Sequence, residues 1–157
     1  MNIDLLVIGK TDKDYVKTGI SEYLKRINRY CKFDVRVIKD LKNTKNLTEN
    51  VQKKLESEKI LSELKNTDFV VLLDETGKNF NSRDFSDFLN KILVSGTKNL
   101  IFVIGGPYGF SDEIYTRANA KISLSKMTFS HQIVRLIFTE QLYRAFSILN
   151  NEPYHHD

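Results

Sequence analysis

Short apolar runs of β type alternate with amphipathic helical stretches along the whole chain, and no other feature limits the possible fold as strongly. Between the runs, apolar residues recur at helical spacing, as at Val16, Ile20 and Ile27. The predicted strands are Ile3–Ile8, Phe33–Ile38, Phe69–Leu73, Leu100–Ile104 and a short one at Ala120–Leu124. This alternation is typical of an α/β fold with helices flanking a mostly parallel sheet. A chain of 157 residues buries one core of this kind, so residues 1–157 are expected to form one domain.

The last helical stretch, roughly residues 131–150, is apolar on more than one side. Its apolar residues are Ile133, Val134, Leu136, Ile137, Phe138, Leu142, Tyr143, Phe146, Ile148 and Leu149. Such a helix must be buried on two faces. One face can pack on the sheet, and an identical subunit is the simplest partner for the other. We therefore predict a homodimer that forms through this helix.

Composition excludes several classes of function. No apolar run approaches membrane-spanning length, and residues 1–8 lack a basic segment, so we expect a cytoplasmic protein with no membrane partner. Three histidines, two of them adjacent, do not have the spacing of a tetrahedral metal site, so no metal is predicted. Residues 1–66 carry 15 Lys and Arg against 10 Asp and Glu. This excess suits an RNA surface without requiring one.

Glycines are concentrated in the loop Gly105-Gly106-Pro107-Tyr108-Gly109-Phe110, which follows the fourth predicted strand. In open α/β sheets, ligands bind beyond the carboxyl ends of the strands, and glycine lets a ligand approach the backbone. Asp112 and Glu113 open the next helix and would repel a phosphate there. A neutral or cationic ligand fits better, although a tight turn without a ligand also explains the glycines.

A second loop, Leu124–His131, follows the fifth strand. It combines the apolar side chains of Leu124, Met127 and Phe129 with free backbone donors and acceptors, as an adenine-binding slot requires, although an ordinary surface connection also explains it. Because these apolar side chains are costly to leave in water, we expect them to be covered.

Several motifs resemble, in order and spacing, successive signatures of the RlmH family of bacterial methyltransferases. They are Val7–Lys10, Glu22–Arg26, Phe102–Gly109, Leu124–Arg135, Glu140–Phe146 and Pro153–His156, so the resemblance spans nearly the whole chain. The resemblance implies S-adenosylmethionine-dependent methylation of N3 of a pseudouridine in 23S (large-subunit) rRNA, with the large subunit or whole ribosome as partner.

The resemblance also implies the SPOUT fold, in which a C-terminal deep trefoil knot holds a bent methyl donor. By matching positions, the cofactor-binding residues would be Leu73, Gly105, Leu124, Ser125, Lys126, Met127, Thr128 and Phe129. Asp74 and Glu75, directly after the third predicted strand, could orient donor or substrate, but capping and solvation explain them equally well.

Catalysis needs a group that takes or shares the proton of the imide nitrogen, and histidine exchanges protons near neutral pH. The expected catalytic residues are His131, Arg135, Tyr154 and His155, and the expected RNA-binding residues are Arg144 and His156. If His131 begins the last helix, Arg135 shares its face and could stabilise an imide oxygen. The resemblance implies that the terminal segment completes the active site across the dimer. Arg135 and Arg144 could instead form ion pairs at the helix surface or a dimer interface, and the terminal histidines could belong to a frayed tail without function.

Two positions depart from the family pattern: Ser130 replaces a common proline, and Tyr108 stands where Glu or Asn is frequent. The first could loosen the second loop, and the second could alter the pocket entrance. Two other functions remain open. One is a SPOUT methyltransferase that acts on a tRNA base or a ribose, and the other is a non-catalytic ribosome-binding α/β module.

Overall fold

Five parallel strands form one sheet in the computed structural model, which describes residues 1–157. The strands are β1 (Asn2–Ile8), β2 (Lys32–Ile38), β3 (Phe69–Asn79), β4 (Asn99–Ile104) and β5 (Ala120–Ser123). Their order across the sheet is β2-β1-β4-β3-β5. The α/β class and the five predicted strands are confirmed, with β3 longer than expected.

Five α-helices connect or follow these strands. They are α1 (Asp14–Ile27), α2 (Glu49–Ser62), α3 (Ser82–Val94), α4 (Asp112–Arg117) and α5 (Ile133–Leu149). Side-chain caps fix two of the starts: Thr48 accepts from the Val51 amide before α2, and Asn81 accepts from the Asp84 amide before α3. Such caps satisfy amides that have no partner within the helix. No helix has both the length and the apolar composition needed to cross a membrane.

The central strands β1 and β4 are buried on both faces, which explains their continuous apolar sequences. Helices α1, α3 and α5 cover one face, where the core includes Ile27, Leu89 and Phe138. Helices α2 and α4 cover the other face through Ile60 and Ile114. The sheet therefore separates two apolar layers.

Helix α5 lies on the sheet between α1 and α3 of its own chain. The rings of Phe138 and Phe102 have centroids 4.6 Å apart, and the Ser86 hydroxyl of α3 donates to the Ala145 carbonyl over 3.2 Å. Toward α1, Leu136 packs so closely that a Cβ at Gly19 would lie 2.7 Å from it. Helices α1 and α3 thus contact α5 on its two sides within the chain. Ile133, Ile137 and Ile148 are only half-buried, so the chain does not cover all of the apolar surface of α5, and the homodimer through this helix stays a prediction.

Strand β3 continues beyond Leu73 because it bulges. Its register against β5 shifts between Leu73 and Lys78, both of which pair with Ile122. Gly77 makes this possible, since a Cβ there would lie 2.5 Å from the Ile122 backbone. The irregular stretch between the two pairings contains Asp74 and Glu75, which were expected after the strand but lie inside it.

Candidate functional site

A cleft of about 730 Å³ opens at the carboxyl ends of β3, β4 and β5. This volume lies within the range of small-molecule pockets, about 300–1,000 Å³. The cleft is lined by three segments of the chain, which are residues 73–76, 104–110 and 123–129, together with Tyr115, His131 and Val134. All eight residues predicted to bind the cofactor are among its lining residues.

The middle wall of the cleft is the glycine loop, Gly105–Phe110, between β4 and α4. It is a tight turn in which the Gly109 amide donates to the Gly106 carbonyl over 3.2 Å. Phe110 packs behind Gly105 so closely that a Cβ there would lie 3.0 Å from the ring. The exposed carboxylates of Asp112 and Glu113 begin α4 directly beyond the loop. Backbone groups therefore face the cleft, and the loop's far end disfavours phosphate.

The third wall is the segment Leu124–Phe129, which is shaped by its own serines. The Ser123 hydroxyl donates to the Ser125 carbonyl, and the Ser125 hydroxyl accepts from the Met127 amide, both over 2.9 Å. Leu124 and Phe129 are half-buried, whereas Met127 is 79% exposed. The chain itself therefore covers Leu124 and Phe129 in part but leaves Met127 exposed, so the expected covering of Met127 by another molecule stays a prediction.

The two departures from the family pattern have visible consequences. The Ser130 hydroxyl accepts from the Ile133 amide over 3.2 Å at the start of α5. This hydrogen bond, which a proline could not make, closes the turn before α5, whose N-cap residue Gln132 makes no side-chain cap. Tyr108 is 42% exposed at the cleft and has no hydrogen bond that restrains its hydroxyl.

An acidic group lies on the β3 side of the cleft. The Asp74 carboxylate accepts hydrogen bonds from the Thr76 amide over 2.8 Å, from the Thr76 hydroxyl, and from the Tyr115 hydroxyl over 2.6 Å. Burial raises the pKa of Asp74, but the bonds from Thr76 and Tyr115 outweigh it and leave that pKa below its usual value. The carboxylate is therefore ionised at neutral pH, so this wall of the cleft is negatively charged.

Replacing Tyr115 with Phe should raise the pKa of Asp74, because one hydrogen bond to the ionised form is lost. The pKa of Asp74 is depressed in the folded state, so its ionisation stabilises the fold above the unfolded-state pKa. This stabilisation is lost as the pH falls through the folded-state pKa. A carboxyl-carbon NMR titration of Asp74 measures the change, with Tyr108→Phe as a control in the same cleft. An Asp74 titration identical in wild type and Y115F would contradict this assignment.

The predicted catalytic pair His131 and Arg135 is separated in the structure. His131 lies in a turn before α5, is exposed and lines the cleft. Arg135 is 2% exposed and lies outside the cleft lining. Its guanidinium donates to the carbonyls of Ile8 over 2.7 Å and Gly9 over 2.9 Å, and to the Thr11 hydroxyl over 3.0 Å. The expectation of a shared helical face was wrong, because the helix begins only at Ile133.

Arg135 therefore holds the start of α5 to the end of β1. Arg135→Met removes the donors and leaves the Ile8 and Gly9 carbonyls buried without partners, so the free energy of unfolding should fall by about 3 kcal/mol. Urea denaturation measures this, with Arg29→Met, an exposed arginine on the chain surface, as control. Wild-type stability of R135M combined with lost methyl transfer would instead indicate a direct catalytic role.

The terminal residues form a second cluster on the C-terminal half of α5. Tyr154 donates to Glu140 over 3.0 Å, and its hydroxyl lies 3.2 Å from that of Tyr23. Arg144 also donates to Glu140, and its Nη1 lies 3.3 Å from His155 Nδ1. Burial raises the pKa of Tyr154, and the bonds to Tyr23 and Glu140 raise it further, so its phenol stays protonated as a donor.

The cleft of the same chain is not lined by any of the four residues Arg144, Tyr154, His155 and His156. The tail is nevertheless held in place, because Asp157 accepts from the Arg83 Nε over 2.7 Å and Tyr30 donates to Glu152 over 2.6 Å. The structure thus places the predicted site residues in two separate groups. Nowhere in the chain do three His, Cys, Asp or Glu side chains cluster in a way that could hold a metal ion.

One buried residue near the cleft, Glu56, has almost no signal in the sequence. Glu56 of α2 is 4% exposed and lies behind the glycine loop. Its position four residues before the buried Ile60 is the only available signal, because i and i+4 share a helical face. A glutamate on such a face is ordinarily assigned to the surface.

Comparison with known proteins agrees with this architecture. A family model described as predicted SPOUT methyltransferase matches residues 1–155. The chain therefore belongs to the SPOUT methyltransferase family.

Individual relatives narrow the assignment within that family. A protein of Christiangramia forsetii is 63% identical over 99% of both chains, and one of Flavobacterium psychrophilum is 60% identical over 99% of both. A protein of Parabacteroides distasonis is 57% identical over the full length of both chains. All three are named ribosomal RNA large subunit methyltransferase H. The predicted RlmH membership is confirmed.

Proposed function

We propose that this chain is an S-adenosylmethionine-dependent methyltransferase that methylates N3 of a pseudouridine in the 23S rRNA of cytoplasmic ribosomes. The observation that carries the proposal is the cleft itself, where Leu73, Gly105 and Leu124–Phe129 meet although they are distant in sequence. Full-length relatives named as large-subunit rRNA methyltransferases support the substrate class. The C-terminal deep trefoil knot, with Leu124–Phe129 in its loop, belongs to the same proposal.

The chemistry of the cleft fits the methyl donor. S-adenosylmethionine supplies a methyl group carried on a sulfonium cation and has no phosphate. The ionised Asp74 favours a cation, and the acidic start of α4 disfavours a phosphate. Leu73, Leu124 and Val134 offer apolar contact for a nucleoside base, while the glycine loop offers backbone groups. The lining therefore suits this donor better than a phosphorylated nucleotide.

Within the cleft, the chain's main task is to position the two reactants. Alignment of a donor and an acceptor accounts for a large part of the catalysis of a transfer reaction. The acceptor imide must also lose or share a proton, and His131 lies exposed at the cleft where a nucleotide can reach it. We assign His131 as the group that takes this proton. Arg135 contributes indirectly by holding the start of α5.

The terminal cluster is proposed to act in the cleft of a second subunit. Tyr154, His155 and His156 do not line the cleft of their own chain. Hydrogen bonds to Glu140 and Arg144 nevertheless hold Tyr154 and His155 against α5, and His156 follows them as an exposed residue. A homodimer that brings this cluster to the partner's cleft would supply a hydrogen-bond donor in Tyr154 and an imidazole in His155. Arg144 and His156 would then meet rRNA phosphates beside the acceptor.

The proposal is tested by methyl transfer from labelled S-adenosylmethionine to ribosomes from cells that lack this gene. The full-length chain should methylate the rRNA, and mass mapping should place the methyl on a pseudouridine. A variant ending at Pro153 should lose transfer by at least about 100-fold, because it lacks the residues proposed to serve the acceptor. Its affinity for the donor, measured by calorimetry, should stay close to that of the full-length chain.

Two outcomes would contradict the proposal at different points. Full activity of the truncated chain would remove the role of the tail while leaving the methyltransferase intact. If the chain instead methylates tRNA or a ribose hydroxyl, and the pseudouridine of ribosomes from cells that lack this gene stays unmethylated, the assigned substrate is wrong.

A further inference from the structure

Glu56 is buried behind the glycine loop with half of its carboxyl group unpartnered. Gln52 Nε2 donates to its Oε1 over 3.0 Å, whereas Oε2 has no hydrogen-bond partner. Buried polar atoms are nearly always paired, so an exception calls for an explanation. Here Oε2 points at Gly106, because a Cβ on that residue would lie 2.0 Å from it. Glu56 therefore occupies the space that any side chain at position 106 would need.

Helix α2 contacts the glycine loop near the loop's start and directly after the loop's end. Next to Glu56, the buried Ser57 hydroxyl accepts from the Ser111 amide over 3.1 Å, directly after the loop. Two consecutive residues of α2 thus meet the start and the end of one turn. The same turn, including Gly105 and Gly106, lines the cleft, whereas Glu56 and Ser57 do not. A shift of Glu56 would therefore move the backbone that faces the ligand.

We infer that Glu56 is a positioning residue for the methyl donor, acting through its contact with Gly106 to set where the glycine loop faces the cleft. This inference rests on the proposed function, since it concerns how tightly the donor binds. Glu56 itself does not line the cleft and is not assigned a chemical step.

The contact between Glu56 and Gly106 is one of shape, because Oε2 has no hydrogen-bond partner and lies where a Cβ at position 106 would be. Burial raises the pKa of Glu56, and Gln52 partly offsets this through its hydrogen bond. Asp40, beyond β2, raises the pKa further, whereas His131 before α5 and Lys59 on α2 lower it. The net result is a carboxyl group that protonates more readily than an exposed one. A neutral glutamine of the same shape should be able to replace it.

Calorimetry with S-adenosylmethionine on the full-length chain tests the inference through a double-mutant cycle. Glu56→Ala should weaken donor binding about tenfold, because the loop loses its support, and Gly106→Ala should do the same by displacing Glu56. The E56A/G106A variant should bind about as well as E56A alone, since the added methyl then has room. Glu56→Gln should bind within about threefold of wild type.

Matched controls separate this role from general damage to the fold. Glu58→Ala changes an exposed glutamate on the same helix and should bind like wild type. Thermal melting of every variant reports folding independently of binding. If E56A does not fold, Glu56→Asp takes its place, because it retains a carboxyl group but withdraws it from Gly106 by one methylene. The variant E56D/G106A should then bind more tightly than G106A.

Three results would overturn the inference. E56A could bind the donor as wild type does, or the two single losses could multiply to about 100-fold in the double variant. A folded E56Q that binds as weakly as E56A would assign the effect to charge instead of shape. A wild-type chain that binds no S-adenosylmethionine would contradict the proposed function itself. Failure of the proposed function is therefore distinguishable from failure of the inference about Glu56.

Discussion

The parallel pairing of β4, β3 and β5 is the constraint on which the site depends. Parallel strands bring their carboxyl ends to one edge of a sheet, so the segments that follow Leu73, Ile104 and Ser123 must meet there. This edge is stable because β1 and β4 are buried on both faces by helices. The bulge in β3 then places Asp74 in the cleft wall, where hydrogen bonds keep it ionised. The cleft brings apolar side chains, backbone groups and the ionised Asp74 together, and this combination suits a cationic nucleoside.

Side chains with polar groups, most of them buried, hold the loops and the tail whose positions the sheet alone does not determine. Arg135 holds the start of α5 to the carbonyls that end β1, and Glu56 meets the glycine loop from α2. At the other end of α5, Glu140 joins Arg144 and Tyr154, so the tail has a fixed position. One helix thus has a cleft-lining segment before its start and the terminal cluster at its end. These two groups of residues do not meet within one subunit, so the proposed reaction requires a second one.

Much of this architecture could be predicted from the sequence, because apolar periodicity reflects burial directly. The five strands and the residues of the cleft follow from local patterns together with the RlmH motifs. The remaining features depend on contacts between distant residues. The bulge in β3 requires Gly77 to meet the Ile122 backbone, and periodicity cannot show such a contact. The same holds for α5, whose apolar faces are evident although their partners, α1 and α3, are not. His131 was misplaced because the turn before α5 continues the helical pattern, and Glu56 was missed because a glutamate ordinarily marks a surface.

The central claim is that the methyl donor binds in the cleft at the carboxyl ends of β3, β4 and β5. A crystal structure of the full-length chain with S-adenosylmethionine tests this most directly. We expect the donor in the cleft, in contact with Gly105 and the segment Leu124–Phe129, with its sulfonium on the side of Asp74. A donor bound elsewhere on the chain, or a cleft that stays empty at saturating concentration, would contradict the account.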